Sequence, residues 1–262
     1  MAYQHISVSS EGAVTTLALA RPEKLNALVP ELLEELSAAI DAALADGARA
    51  LVLAGEGRFF CSGADLASDQ MGSSGLPDDL GALLETSYNP FIRKLAALDV
   101  PIVTALNGPA AGAGVSVALS GDIIVMAQSA YLLLAFVNIG LVPDAGATWM
   151  IARGAGRARA LEMAMLGERM GADEAKAAGL VARVVPDGEA LSAAQAIAAK
   201  LAAGPTRAIG AMRRQIGFAL DNDIEAVLSL ERDNQRFCGR TADAAEAIGA
   251  FLVKRKPNFR GQ

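Results

Sequence analysis

Three short glycine-bearing segments constrain this chain more than anything else in it: Cys61-Ser62-Gly63-Ala64-Asp65, Ala111-Gly112-Ala113-Gly114 and Pro143-Asp144-Ala145-Gly146. Each follows an apolar run that reads as a buried strand, and each is predicted to open a helix or a turn. The first turn of a helix leaves backbone N–H groups without carbonyl partners. Two such groups from different loops can hold one developing oxyanion. The third segment adds a lone carboxylate, Asp144. Free amides beside a single acid point to proton transfer next to a polarised carbonyl.

The segments between these loops predict an α/β architecture. Val14 to Ala20 alternates apolar and small polar residues, as a half-buried strand does. Pro30 suits the first turn of a helix. Leu32, Leu33, Leu36, Ile40 and Leu44 follow at helical spacing, with Glu31, Glu34, Glu35 and Asp41 on the other face. Ala50–Ala54 and Ile123–Ala127 are wholly apolar and Ile102–Leu106 is apolar but for Thr104, much as strands covered on both faces are. Strands alternating with helices favour parallel pairs and right-handed crossovers. Ser68 to Asp79 is rich in Gly, Ser and Asp and reads either as a covering loop or as a plain surface insertion. From Pro205 the pattern is helical to the end. The expected division is a core over residues 1–204 and a helical C-terminal region over 205–262.

Composition removes several classes. The 262 residues can bury a sizeable core. A net charge of −6 opposes a general grip on nucleic acid or an anionic membrane. No apolar run reaches the length of about 18 residues that a membrane span needs. Cys61 and Cys238 form no framework, which suits a reducing, cytoplasmic setting. The single histidine, His5, sits in the first strand, so histidine-based nucleophilic or metal sites have no material.

Each candidate also has a structural explanation at this level. Small residues in Ala111–Gly114 let a ligand approach the backbone, or simply allow tight packing. Cys61 has no neighbouring cation to make it a nucleophile and reads as a buried small residue. Asp65 reads as a loop anchor. Asp144 precedes a helical stretch, Thr148 to Arg153, where an N-cap role would account for it.

Taken in order, the loops and their neighbours resemble the enoyl-CoA hydratase/isomerase (crotonase) superfamily. The matching segments are Arg21-Pro22-Glu23-Lys24-Leu25-Asn26-Ala27-Leu28, Phe60 to Leu66, Asn107 to Gly114, and Gly140 to Gly146. The likeness runs on to Phe251-Leu252-Val253-Lys254-Arg255-Lys256-Pro257 and so covers nearly the whole chain. The resemblance implies a spiral of ββα units, a helical tail that builds homotrimers or dimers of trimers, and an acyl-CoA thioester as substrate. Coenzyme A is then part of the substrate and no separate cofactor or metal is implied. It further implies that the amides of Ala64 and Ala113 form an oxyanion hole. Lys24, Leu25, Ala27, Ala64, Asp65 and Leu66 would lie along the coenzyme, and Phe251 and Lys254 would close over its nucleotide end from a neighbouring subunit.

The family's hydratases carry two glutamates, and this chain has Ser116 and Phe136 at those positions. Water addition needs such a pair to hold and activate the water. Asp144 instead lies where the branch that isomerises ring epoxides of phenylacetyl-CoA carries its acid. Tyr88 to Leu95, Leu230 to Arg236 and Gly239 to Asp243 resemble the same branch. The expected activity is therefore an acyl-CoA isomerase, with Asp144 moving the proton and Phe136, Val137, Ile139, Leu141 and Trp149 enclosing it. A hydratase or lyase that recruits Glu85 as a second acid is the alternative, and a non-catalytic acyl-CoA-binding subunit is a third reading.

Overall fold

The computed structural model describes residues 3–66 and 79–262. The segment 67–78, with nearly all of the expected covering loop, lies outside the described residues. The chain opens with an antiparallel hairpin, β1 (Ile6–Glu11) and β2 (Val14–Leu19). A 3-10 turn, Pro22–Lys24, leads to α1 (Pro30–Ala45) and β3 (Ala50–Gly55). Next come α2 (Leu80–Leu83), a π-helical turn at Leu84–Tyr88, α3 (Asn89–Ala97) and β4 (Ile102–Leu106). Then follow β5 (Ala110–Ala111), α4 (Ala113–Leu119), β6 (Ile123–Ala127) and β7 (Tyr131–Leu133). A 3-10 stretch at Ala135–Ile139 joins β7 to α5 (Ala147–Leu166). The rest is β8 (Arg169–Gly171), α6 (Ala172–Ala177), β9 (Arg183–Val185), α7 (Ala190–Ala202), α8 (Thr206–Ala219), α9 (Ile224–Cys238) and α10 (Ala242–Leu252).

Among the described residues one sheet runs β1-β2-β3-β4-β6-β9, and every pair after the first is parallel. A smaller sheet, β5-β7-β8, stands beside it. The strand period of two divides the core. Leu17, Leu51, Leu53, Ile102 and Leu106 pack with Leu32, Leu36 and Ile40 of α1 and Leu95 of α3. The alternate residues Val14, Ala18, Ala50, Val52, Ala54, Val103 and Ala105 meet Ala194, Ile197 and Ala198 of α7. Alanine on both sides lets α7 sit close to the strands.

This second layer corrects the reading of β2 as half-buried, for all six of its residues are buried. Thr16 is shielded by α7, where Gln195 Nε2 donates to its hydroxyl at 3.2 Å. A partner almost 180 residues away leaves no mark on local periodicity.

Several arginines tie the C-terminal helices to the core: Arg49 donates to the Thr206 hydroxyl at 2.7 Å, and Arg153 pairs with Asp221 and Arg214 with Asp99. Arg213 of α8 pairs with Asp122 at 2.6 Å and donates to the carbonyls of Leu95, Ala96 and Leu98 at the end of α3. The apolar side chains of Met212 and Ile216 on α8 are exposed, as are Ile224, Leu228, Phe251 and Leu252. Among the described residues no helix is long and apolar enough to cross a membrane.

Candidate active site

The first two glycine loops are zipped together by backbone hydrogen bonds that leave two amides over. Leu28 brackets Ala64: its N–H donates to the Gly63 carbonyl at 2.7 Å and its carbonyl accepts from the Asp65 N–H at 2.9 Å. In such a parallel bridge the bracketed residue turns its own N–H to the opposite side. On that side Cys61 and Ala110 form a second parallel bridge, with the Ala111 N–H donating to the Cys61 carbonyl at 2.9 Å. The Gly112 N–H goes to the Leu133 carbonyl of β7. Ala113 then begins α4, where a helix has no internal acceptor for its N–H. Among the described residues no hydrogen bond takes the Ala64 or the Ala113 amide.

Two glycines make this approach possible. Gly63 has a φ of +98°, and a Cβ there would lie 2.9 Å from the Ala111 carbonyl oxygen. A Cβ on Gly114 would lie 2.7 Å from the Cys61 carbonyl oxygen and 2.8 Å from its sulfur. Cys61 is thus the packing residue its sequence context predicted. Burial pushes its thiol up to about 12, far from the reactive thiolate range.

Ala64 and Ala113 both line a cavity of about 660 Å³, together with Leu66, Leu84, Tyr88, Phe136, Asp144 and Trp149. Among the described lining residues Asp144 is the one acid. The capping explanation for it does not hold. The cap residue of α5 is Gly146, with no side-chain cap, and Asp144 contributes only its carbonyl to the Ala147 N–H at 2.9 Å. The turn after it uses two left-handed residues, Ala145 at φ +47° and Gly146 at φ +87°. A non-glycine residue there is uncommon and stores strain, a feature concentrated at functional sites. The fully buried Ser116 hydroxyl holds the turn by donating to the Asp144 carbonyl at 3.0 Å.

Asp144 Oδ1 is buried and has no hydrogen-bond partner among the described residues. Desolvation pushes the carboxyl up from 3.8 to about 6. The sign of the linked stability follows: the folded state keeps this proton to higher pH than the unfolded chain, so stability falls as pH rises from about 4 to about 6. Asp144→Asn is therefore expected to be more stable than the native protein at pH 8 by about 2 kcal/mol, with partial solvent contact discounted. That advantage vanishes below pH 4, and thermal unfolding at the two pH values measures it. If Asp144 must be ionised to act, kcat/KM rises with pH through about 6.

The cavity brings together Ala64, Leu66, Ala113 and Asp144 but not the other expected residues. Of the predicted enclosure, Phe136, Ile139, Leu141 and Trp149 line it. Val137 does not, since it faces Gly167 instead. Lys24 is exposed at the end of its 3-10 turn, while Leu25 and Ala27 follow on the adjoining loop. Asp65 anchors that loop: its carboxylate pairs with Arg21 at 2.9 Å, and Arg21 also donates to the Ala27 carbonyl. The buried Asn26 adds bonds to the Glu56 and Phe59 carbonyls, holding Leu25 and Asn26 at positive φ. Phe251, 81% exposed, and Lys254 stand at the end of α10, outside the cavity. Glu85 is solvent-exposed, pairs with Arg93 at 2.7 Å and does not line the cavity. Tyr88 does line it, although no local pattern marked it as a site residue.

Comparison with known proteins agrees with this architecture. The family model described as enoyl-CoA hydratase/isomerase matches residues 9–262, and the chain belongs to that family. It is 43% identical to the 1,2-epoxyphenylacetyl-CoA isomerase of Escherichia coli K12, over 96% of this chain and 97% of that one. It is 41% identical to a protein of Rhodobacter capsulatus named as a probable enoyl-CoA hydratase, over the full length of both. The crystal structure of an enoyl-CoA hydratase from Polaromonas sp. JS666 superposes with a TM-score of 0.90 at 34% identity, covering 97% of this chain and 99% of that one. The fold is the crotonase fold, and the protein is an enzyme of the hydratase/isomerase superfamily.

Proposed function

We propose that this protein is an acyl-CoA isomerase in which Asp144 alone carries the proton. The observation that bears most weight is the solitary acid: the cavity lined by Ala64 and Ala113 has Asp144 as its one described carboxylate. Where the family's hydratases carry glutamates, Ser116 holds the Asp144 turn and Phe136 forms part of the apolar wall. Likeness to the Escherichia coli isomerase supports the same reading.

The thioester oxygen accepts from the two free amides, which stabilises the enolate formed when the neighbouring carbon loses a proton. Asp144 takes that proton. With a 3-enoyl thioester it returns the proton two carbons further along, and the double bond moves to the 2-position. With a ring 1,2-epoxide the ring bond shared with the epoxide opens to a seven-membered cyclic ether, and the proton returns to a ring carbon. No atom is added or lost in either case. Lys24, Leu25, Ala27 and Asp65 lie on the loops along which the coenzyme portion runs, and no cofactor beyond the substrate's own coenzyme A enters.

The exposed apolar residues of α8 to α10 are the surface of a homotrimer, or of a dimer of trimers, in which Phe251 and Lys254 close a neighbour's nucleotide end. Ile216→Asp is expected to shift the sedimenting species towards monomer, and an unchanged assembly would remove that part. The activity itself is tested with 2-enoyl, 3-enoyl and aryl-epoxide thioesters resolved by mass spectrometry. Isomers of unchanged mass from the last two support the reading, and hydration of the first with no isomerisation overturns it.

A further inference from the structure

We propose that Tyr88 donates a hydrogen bond to an oxygen carried on the acyl group beside the reacting carbons, and thereby selects ring-oxygenated acyl thioesters over plain enoyl thioesters. This inference rests on the isomerase reading above. Tyr88 ends the π-helical turn Leu84–Tyr88, a distortion that recurs at functional sites. The turn brings a largely buried phenol to the cavity wall.

Among the described residues its hydroxyl makes one hydrogen bond, to the Leu28 carbonyl at 3.5 Å, the long limit for such a contact. That carbonyl already accepts the Asp65 N–H at 2.9 Å. The phenol proton is therefore free for a better acceptor. Its place is also defined. Leu28 is the bridge partner of Ala64, so the hydroxyl lies next to the first glycine loop, on its Leu28 side. It lines the same cavity as Asp144, whose charge acts on it more strongly than that of Cys61 or Asp65. Burial and that charge both push the phenol up, so Tyr88 keeps its proton and serves as a donor, not a base.

Most of the cavity lining is apolar, Leu66, Leu83, Leu84, Phe136 and Ile139 among it, with Ser62, Asn89, Asn138 and Thr148 as its other uncharged polar side chains. The adjoining Asn89 amide is held by Glu85 at 3.0 Å. A buried donor in such a wall favours a ligand that brings an acceptor and disfavours one that leaves it unpaired. An epoxide or cyclic-ether oxygen is an acceptor at the required place, and an unsubstituted enoyl chain has none. Tyr88 gives up no proton in the reaction; Asp144 carries the one that moves.

The experiment compares native enzyme with Tyr88→Phe on a ring-epoxide thioester and a 3-enoyl thioester, reading kcat/KM for each. Phenylalanine keeps the packed ring, and matched melting curves check the fold. The expected result is at least a tenfold fall in the epoxide-to-enoyl ratio. Equal losses on both substrates, or none on either, overturn the proposal, equal loss being what a donor to the thioester oxygen would give. Native enzyme that isomerises only the 3-enoyl thioester overturns the proposal and leaves the isomerase reading standing. Native enzyme that isomerises neither overturns both.

Discussion

Replacing Asp144 with asparagine is expected to lower isomerase turnover by about 10³-fold while leaving the fold intact, within the range typical of a positioned acid–base group. The substitution keeps the side chain's size and removes only its capacity to move a proton. Nothing in the turn depends on the carboxylate: the Ala147 N–H and the Ser116 hydroxyl both bind the Asp144 backbone carbonyl. The loss should therefore fall on kcat, with KM little changed. The variant separates catalysis from structure cleanly because the same change is expected to stabilise the protein above pH 6, where the carboxylate is ionised and its buried Oδ1 has no partner among the described residues. An inactive enzyme that melts higher than the native one fits a carboxylate kept for chemistry. Steady-state rates with a 3-enoyl thioester and melting at pH 8 check both halves.

The second large effect concerns the amides. Ala113→Pro is expected to lower kcat/KM by about 10²- to 10³-fold, the usual consequence of losing one oxyanion donor. Ala113 is the first residue of α4, the one helical position where proline is well tolerated and where its missing N–H breaks no internal hydrogen bond. The change deletes the proposed donor with little claim on helix stability. Ala113→Gly, which keeps the N–H, is the control and should retain most activity. Equal activity in the two variants, with both folded, would mean that this amide does not touch the substrate.

The sequence was a good guide wherever local pattern carried the information. Ile102–Leu106 and Ile123–Ala127 stand at their predicted bounds because a strand covered on both faces reads as a near-continuous apolar run, interrupted here by Thr104 alone. The three glycine loops were legible for a related reason: close backbone approach admits only small residues, and Gly63 and Gly114 are where a Cβ would strike the neighbouring loop. What local pattern could not show was contact across long separations. Thr16 lies on a strand whose alternation read as half-buried, yet α7 covers its face. Strands β5, β7 and β8, two or three residues each, are too short to leave a periodic signal. The Arg21–Asp65 pair joins residues 44 apart. Asp144 was found as a loop acid, but its capping alternative fell only when Gly146 proved to be the cap. Tyr88 was hidden by its π-helical turn, which rotates side chains away from the face that a regular helix would present.

The most direct test of the proposal that Asp144 works alone beside two amides is the fate of water. Native enzyme given a 3-enoyl thioester in oxygen-18 water should yield a 2-enoyl product of unchanged oxygen content. In deuterium oxide the same reaction should bring exchange at the carbons where the proton leaves and returns, and Asp144→Asn should abolish it. A hydroxyacyl product carrying oxygen-18 as the main species, formed without double-bond migration, would contradict the account.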